Sequence, residues 1–150
     1  MTAPREPVGP FASPGYHLWK AALRWKAAVR DALAPHELTA TQFFVLGAAG
    51  WLSREDRTPP KQRDVAELAG VDLMTASQVV RVLEDAGVLA RVPDRDDARS
   101  WRVAPTDRGR EMLRAAAARV RATDRAFFGA DDPNALARTL ARLSQEPDDR

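Results

Sequence analysis

The chain has 150 residues, 45% of them hydrophobic and 29% charged, which suits one compact domain with a real core. It holds no cysteine and only two histidines, His17 and His36, which excludes disulfides, thiolate chemistry and Cys- or His-built metal sites, so no cofactor or metal is expected. A pI near 9.5 invites a nucleic-acid reading, but residues 61–110 carry nine Lys/Arg against nine Asp/Glu, so any such argument must rest on individual arginines.

The opening residues, MTAPREPVGPFASPG, place prolines and glycines where a signal peptide has its apolar core, and residues 1–15 read as a flexible tail. The longest nearly unbroken apolar run, Phe43 to Leu52, is about half a membrane span. A soluble, cytoplasmic protein is the expectation.

A first helix is predicted from Tyr16 to Ala34, with Leu18, Ala22, Trp25, Val29 and Leu33 as one apolar stripe and Pro35 closing it. Thr39 and Gln42 then fit a capping box, with Leu38 and Phe43 as its hydrophobic staple. The helix they start runs through FFVLGAAGWL, apolar nearly all round, as a central buried element would be, and Ser53 to Pro60 reads as a loop. RDVAELAG makes a short amphipathic helix ending at Gly70, and Asp72 caps the next, whose apolar face is Ala76, Val79, Val80 and Leu83. Gly87 suits the left-handed position that ends it. Val88–Val92 and Ser100–Ala104 read as strands joined by PDRDDAR. Thr106 caps a long helix from Asp107 to Phe128, stopped by Gly129. Asp132 and Pro133 start a last helix bearing Leu136, Leu140 and Leu143, followed by a frayed tail over 146–150.

The expected fold class is therefore mainly α with a small β-hairpin wing. Residues 16–145 form a single domain, with a winged helix-turn-helix over 38–105. The flanking helices, 16–34 and 106–145, are left seeking a partner.

On the helix from Asp72, the face opposite the core carries Met74, Gln78, Arg81 and Asp85, flanked by Thr75 and Ser77. A helix entering a major groove needs short polar residues near its start and amide or guanidinium forks for paired hydrogen bonds. Gln78 matches adenine and Arg81 matches guanine, while Thr75, Ser77 and free first-turn N–H groups suit phosphates. The same outer face also suits an ordinary solvated helix. The hairpin tip holds Arg95 and Arg99 among Asp94, Asp96 and Asp97, which fits a wing whose arginine enters a narrow minor groove, or a charge-rich solvated turn. Since the aspartates would repel DNA, at least one is expected to brace an arginine from the side.

RDVAELAG, TASQVVRVLEDAGVLAR and DDARSWRVAPTDRGRE together resemble the MarR family of transcriptional regulators, and the resemblance spans nearly the whole chain. The family's wing-tip Asp-x-Arg falls on Asp97, Ala98 and Arg99, and its Thr-x-x-Gly helix start on Thr106 and Gly109. The resemblance implies that Arg99 enters the minor groove, that Asp97 holds the wing, and that Thr75, Ser77 and Gln78 lie at the groove. It also implies a triangular homodimer built from the first, fifth and sixth helices, binding a double-stranded, pseudo-palindromic operator as a repressor. Many such proteins release DNA on binding a small, often aromatic, effector ligand. Two departures stand out: Lys61 replaces the usual Ser or Thr cap, weakening that helix start, and Pro105 is expected to end the second wing strand early.

Trp19 and Trp51, with His17 as a polar handle, are candidates for lining an effector pocket, whereas Trp25 lies on the apolar stripe and suits packing. Trp101 is expected to pack on the wing face. No nucleophile elbow, phosphate loop or paired-carboxylate pattern occurs, so no enzyme is expected. The neutral charge of residues 61–110 keeps open an alternative, a winged helix used for protein–protein contact without specific DNA binding.

Overall fold

The computed structural model describes residues 9–55, 58–129 and 132–145. The expected ends of the chain at 1–8 and 146–150, and part of the loop before Pro60, lie outside them. Among these residues six α-helices and one hairpin follow in the order α1 (Pro14–Leu33), α2 (Ala40–Glu55), α3 (Gln62–Ala69), α4 (Leu73–Asp85), β1 (Leu89–Pro93), β2 (Trp101–Pro105), α5 (Asp107–Phe128) and α6 (Pro133–Ser144), with short 3-10 turns at Gly9–Ala12 and Ala34–His36. Among the described residues, no helix is long and apolar enough to cross a membrane.

α1 starts two residues before the expected Tyr16. Ser13 Oγ accepts the Tyr16 N–H at 3.1 Å and Pro14 occupies the first turn, where its missing N–H costs nothing. The capping box of α2 is present in both directions: Thr39 N–H donates to Gln42 Oε1 at 2.9 Å, and Gln42 N–H to Thr39 Oγ1 at 3.1 Å. α2 runs on to Glu55, through residues expected to be loop, and Ser53 Oγ turns inward to donate to Ala49 O at 2.6 Å. This bond satisfies a hydroxyl that would otherwise favour leaving the helix.

α2 is the axle of the molecule, touching α1, α3, α4, α5 and β2. Val45, Leu46 and Ala49 are wholly buried there, against Val29 and Leu33 of α1, Val65 of α3, Val80 of α4 and Val103 of β2. Each such aliphatic side chain contributes about 1.5–3 kcal/mol, which explains why a helix nearly apolar all round belongs at the centre.

β1 and β2 pair antiparallel from Leu89 opposite Pro105 to Pro93 opposite Trp101, one residue later at each end than the sequence pattern suggests. Pro105 does not end β2 early: it is the last paired residue, and Thr106 N–H prolongs the ladder with a 3.1 Å bond to Val88 O. A third short edge joins the hairpin, because Val103 N–H donates to Pro60 O at 3.0 Å and Lys61 bridges to Arg102. The wing is thus tied to the start of α3.

Gly109 is dictated by close approach. A Cβ there would stand 1.9 Å from the Val88 carbonyl oxygen. Thr106 seals the same corner, accepting from Gly109 N–H at 3.1 Å and donating its hydroxyl to Gly87 O at 2.7 Å. α6 lies off the core and buries none of its described residues.

Candidate nucleic-acid interface

The turn between α3 and α4 is set by Gly70, left-handed at φ 70°, with Val71 N–H donating to Ala66 O at 3.1 Å. Asp72 then caps α4, accepting Thr75 N–H at 2.8 Å and Thr75 Oγ1 at 2.6 Å. These bonds, the hydroxyl foremost, hold the Asp72 carboxyl below the ordinary aspartate value. Thr75, expected to offer its hydroxyl and N–H to phosphate, has both donors committed to Asp72.

With Ala76, Val80 and Leu83 buried, the opposite face of α4 presents Met74, Gln78, Arg81 and Asp85 to solvent, and Ser77 is half-buried beside them. The candidate base-reading residues Gln78 and Arg81 therefore share one exposed line.

In the wing, Asp94 N–H donates to Ser100 O at 3.0 Å and Ser100 N–H to Asp97 O at 2.9 Å, closing the tip. Asp97 Oδ1 accepts Arg99 N–H at 3.0 Å. Asp97 thus holds the backbone that carries Arg99 rather than bracing a guanidinium. The aspartate that does brace an arginine is Asp94. Its side chain is shut off from solvent, with Oδ2 3.0 Å from Arg102 Nε and 3.8 Å from Lys61 Nζ, and Oδ1 accepts Asp96 N–H at 2.9 Å. The Asp96 N–H outweighs burial in setting this carboxyl below its usual range, with Arg102 and Lys61 adding to it. Arg95 and Arg99 are exposed, and neither guanidinium pairs with a carboxylate among the described residues.

A second tie runs from α4 to the wing. Glu84 Oε2 lies 3.2 Å from Arg91 Nε, and the Arg91 guanidinium stacks 4.3 Å from the Trp101 ring centroid. Trp101 therefore packs on the wing face, as expected. Lys61 gives α3 no side-chain cap, also as expected, and instead turns towards Asp94. The Lys61–Asp94–Arg102 cluster was not readable in the sequence, since it joins segments some forty residues apart through a single bridge.

Leu73 at the start of α4, Arg99 and Trp101 of the wing, and Lys61, Gln62 and Arg63 at the start of α3 line one cleft of about 170 Å³. The start of α4 and the wing tip thus border one cleft.

The candidate effector residues do not converge. Trp19 is 64% exposed, and Trp51, 56% exposed on α2, lies under the Arg54 guanidinium. His17 lines a separate groove with Tyr16, Lys20, Arg24 and Phe127. His17 and Trp19, two apart on α1, face nearly opposite sides of the helix. Trp25 packs against the core and donates Nε1–H to Asp124 Oδ1 at 2.8 Å. Beside it runs an apolar groove of about 420 Å³ between α1, α5 and α6, lined by Leu18, Ala22, Phe128, Leu136 and Leu140.

A model of the MarR family matches residues 38–101. The HTH-type transcriptional regulator YdcH of Bacillus subtilis is 35% identical over 122 residues, covering 81% of this chain and 82% of that protein. Among solved structures, the transcriptional repressor CouR bound to a 23-mer DNA duplex superposes with a TM-score of 0.74 at 28% identity, over 89% of this chain and 93% of CouR, a protein of Rhodococcus jostii RHA1. BpsR of Bordetella bronchiseptica, whose DNA binding is regulated by 6-hydroxynicotinic acid, matches with a TM-score of 0.80 at 25% identity, over 94% of this chain and 99% of that one. With its winged helix, its Asp97–Arg99 tip and its Thr106–Gly109 corner in place, the chain belongs to the MarR family of DNA-binding transcriptional regulators.

Proposed function

We propose that this regulator is a cytoplasmic, homodimeric repressor that reads a pseudo-palindromic operator and releases it on binding a small aromatic ligand. Residues 38–105 read DNA, and residues 16–34 and 106–145 make the dimer. Gln78 and Arg81 address base edges in the major groove, Ser77 a phosphate, and Arg99, with Arg95 beside it, the minor groove. Asp97 positions Arg99 through the backbone. Thr75 sets the first turn of α4 through Asp72 and meets DNA by proximity rather than through a free donor.

The observation that carries the reading is the exposure of Gln78 and Arg81 on one line of α4 together with an exposed Arg99 on the wing, whose cleft the start of α4 borders at Leu73. The ligand-release part rests on relatives: CouR has been solved with p-coumaroyl-CoA, and BpsR is regulated by 6-hydroxynicotinic acid. In this chain Trp19, Trp51 and His17 would have to be gathered around a ligand by the second protomer. A titration of fluorescent duplex from the gene's own upstream region, repeated at several salt concentrations, tests the DNA reading. Specific binding with a steep salt slope is expected; its absence would favour the protein-contact alternative.

A further inference from the structure

Resting on that DNA reading, we infer that Met74 is a specificity-determining residue, packing against the C5-methyl group of a thymine close to the adenine addressed by Gln78. Met74 is 73% exposed, the most exposed large hydrophobic residue among those described. Leaving such a side chain in water gains nothing for the fold, because the core face of α4 is already filled by Ala76, Val80 and Leu83.

Its position is the reason to assign it a partner. At about 100° per residue, Met74, Gln78, Arg81 and Asp85 fall within a strip about 60° wide, directly opposite the core face. Met74 stands in the first turn, the part of a recognition helix that approaches base edges. The Asp72 cap, held by two bonds from Thr75, fixes that turn and hence the direction of Met74. The residue lies about 6 Å along the helix axis from Gln78, a spacing of about two base pairs. The thymine methyl is the one apolar feature a base pair shows in the major groove. An unbranched thioether is long and pliable enough to follow it without a fixed rotamer. The line on α4 then reads, from its start, a methyl, an adenine edge and a guanine edge.

The test removes the methyl and nothing else. A duplex is selected from a random pool with the wild-type protein, and each thymine in one half-site is replaced in turn by uracil. Wild type and Met74→Ala are then titrated on every duplex. At one thymine, uracil should weaken wild-type binding about fourfold, as expected for one methyl-sized apolar contact. Met74→Ala should bind the thymine and uracil duplexes equally, and Met74→Leu should keep the discrimination. Unchanged thermal midpoints would confirm that these surface variants fold. If no thymine shows a methyl effect that Met74→Ala abolishes, the inference is overturned while the DNA reading stands. If the pool yields no enriched duplex, the DNA reading falls and takes the inference with it.

Discussion

At the residue scale, the wing tip divides its charges by job. Asp97 holds the Arg99 backbone and leaves the guanidinium free, while Asp94 spends its charge internally on Arg102 and Lys61. Arg99→Ala should therefore weaken operator binding by about 1–3 kcal/mol and leave the dimer intact, as measured by duplex titration beside sedimentation. Wild-type affinity would remove Arg99 from the interface. Asp94→Asn keeps the shape that receives Asp96 N–H but deletes the charge. Because the folded carboxyl lies below the ordinary value of 3.8, its ionisation stabilises the fold in full well above that pH, and the benefit is lost as pH falls below 3.8. The variant should thus have a lower urea midpoint than wild type at pH 7, with the gap closing under acid; a gap that persists at low pH would rule out a charge effect. The exposure of Gln78 and Arg81 was legible in the sequence because helical periodicity places them opposite the apolar face, whereas Arg99 was singled out by the wing-tip Asp-x-Arg of the family resemblance. The partner of Asp94 was not, because a run of three aspartates and two arginines does not say which one folds inward.

At the scale of elements, local signals decided most boundaries. The Thr39–Gln42 box, the Asp72 cap and Thr106 all act within three residues, so spacing reveals them. Where boundaries differed, polar groups found partners the pattern does not show: α2 runs on past Ser53, whose hydroxyl is satisfied by the Ala49 carbonyl, and Thr106 N–H pairs with Val88 O beyond Pro105. Gly109 sharpens the contrast between propensity and contact. Alanine is intrinsically better in a helix by about 1 kcal/mol. A methyl group 1.9 Å from a backbone carbonyl, however, forces α5 away from the α4–β1 junction. Overpacking of this kind costs about 1–3 kcal/mol, and more when backbone must move, so Gly109→Ala should lower the thermal midpoint. A rise would show that the corner yields more easily than the geometry implies.

At the scale of the whole molecule, α6 carries leucines that have too little to rest on. Leu143 is 72% exposed, and Leu140, 37% exposed, lines the apolar groove between α1, α5 and α6. The sequence pattern of α6 announced that a partner is needed, but its surroundings could not be read from one chain. Leu140→Asp should convert the proposed dimer to monomer in sedimentation, since a charge cannot enter that seam unpaired. A tight dimer would mean that α6 is not the seam. The wild-type melting temperature should also rise with protein concentration, as it does wherever association stabilises the fold. The bond between Val103 N–H and Pro60 O is reinforced by Arg102 Nη1 donating to Pro59 O at 2.8 Å. These bonds tie the second wing strand to the segment that leads into α3. A shift of β2 therefore carries the Pro59–Lys61 strap with it, so the base of the wing and the start of α3 move as one piece.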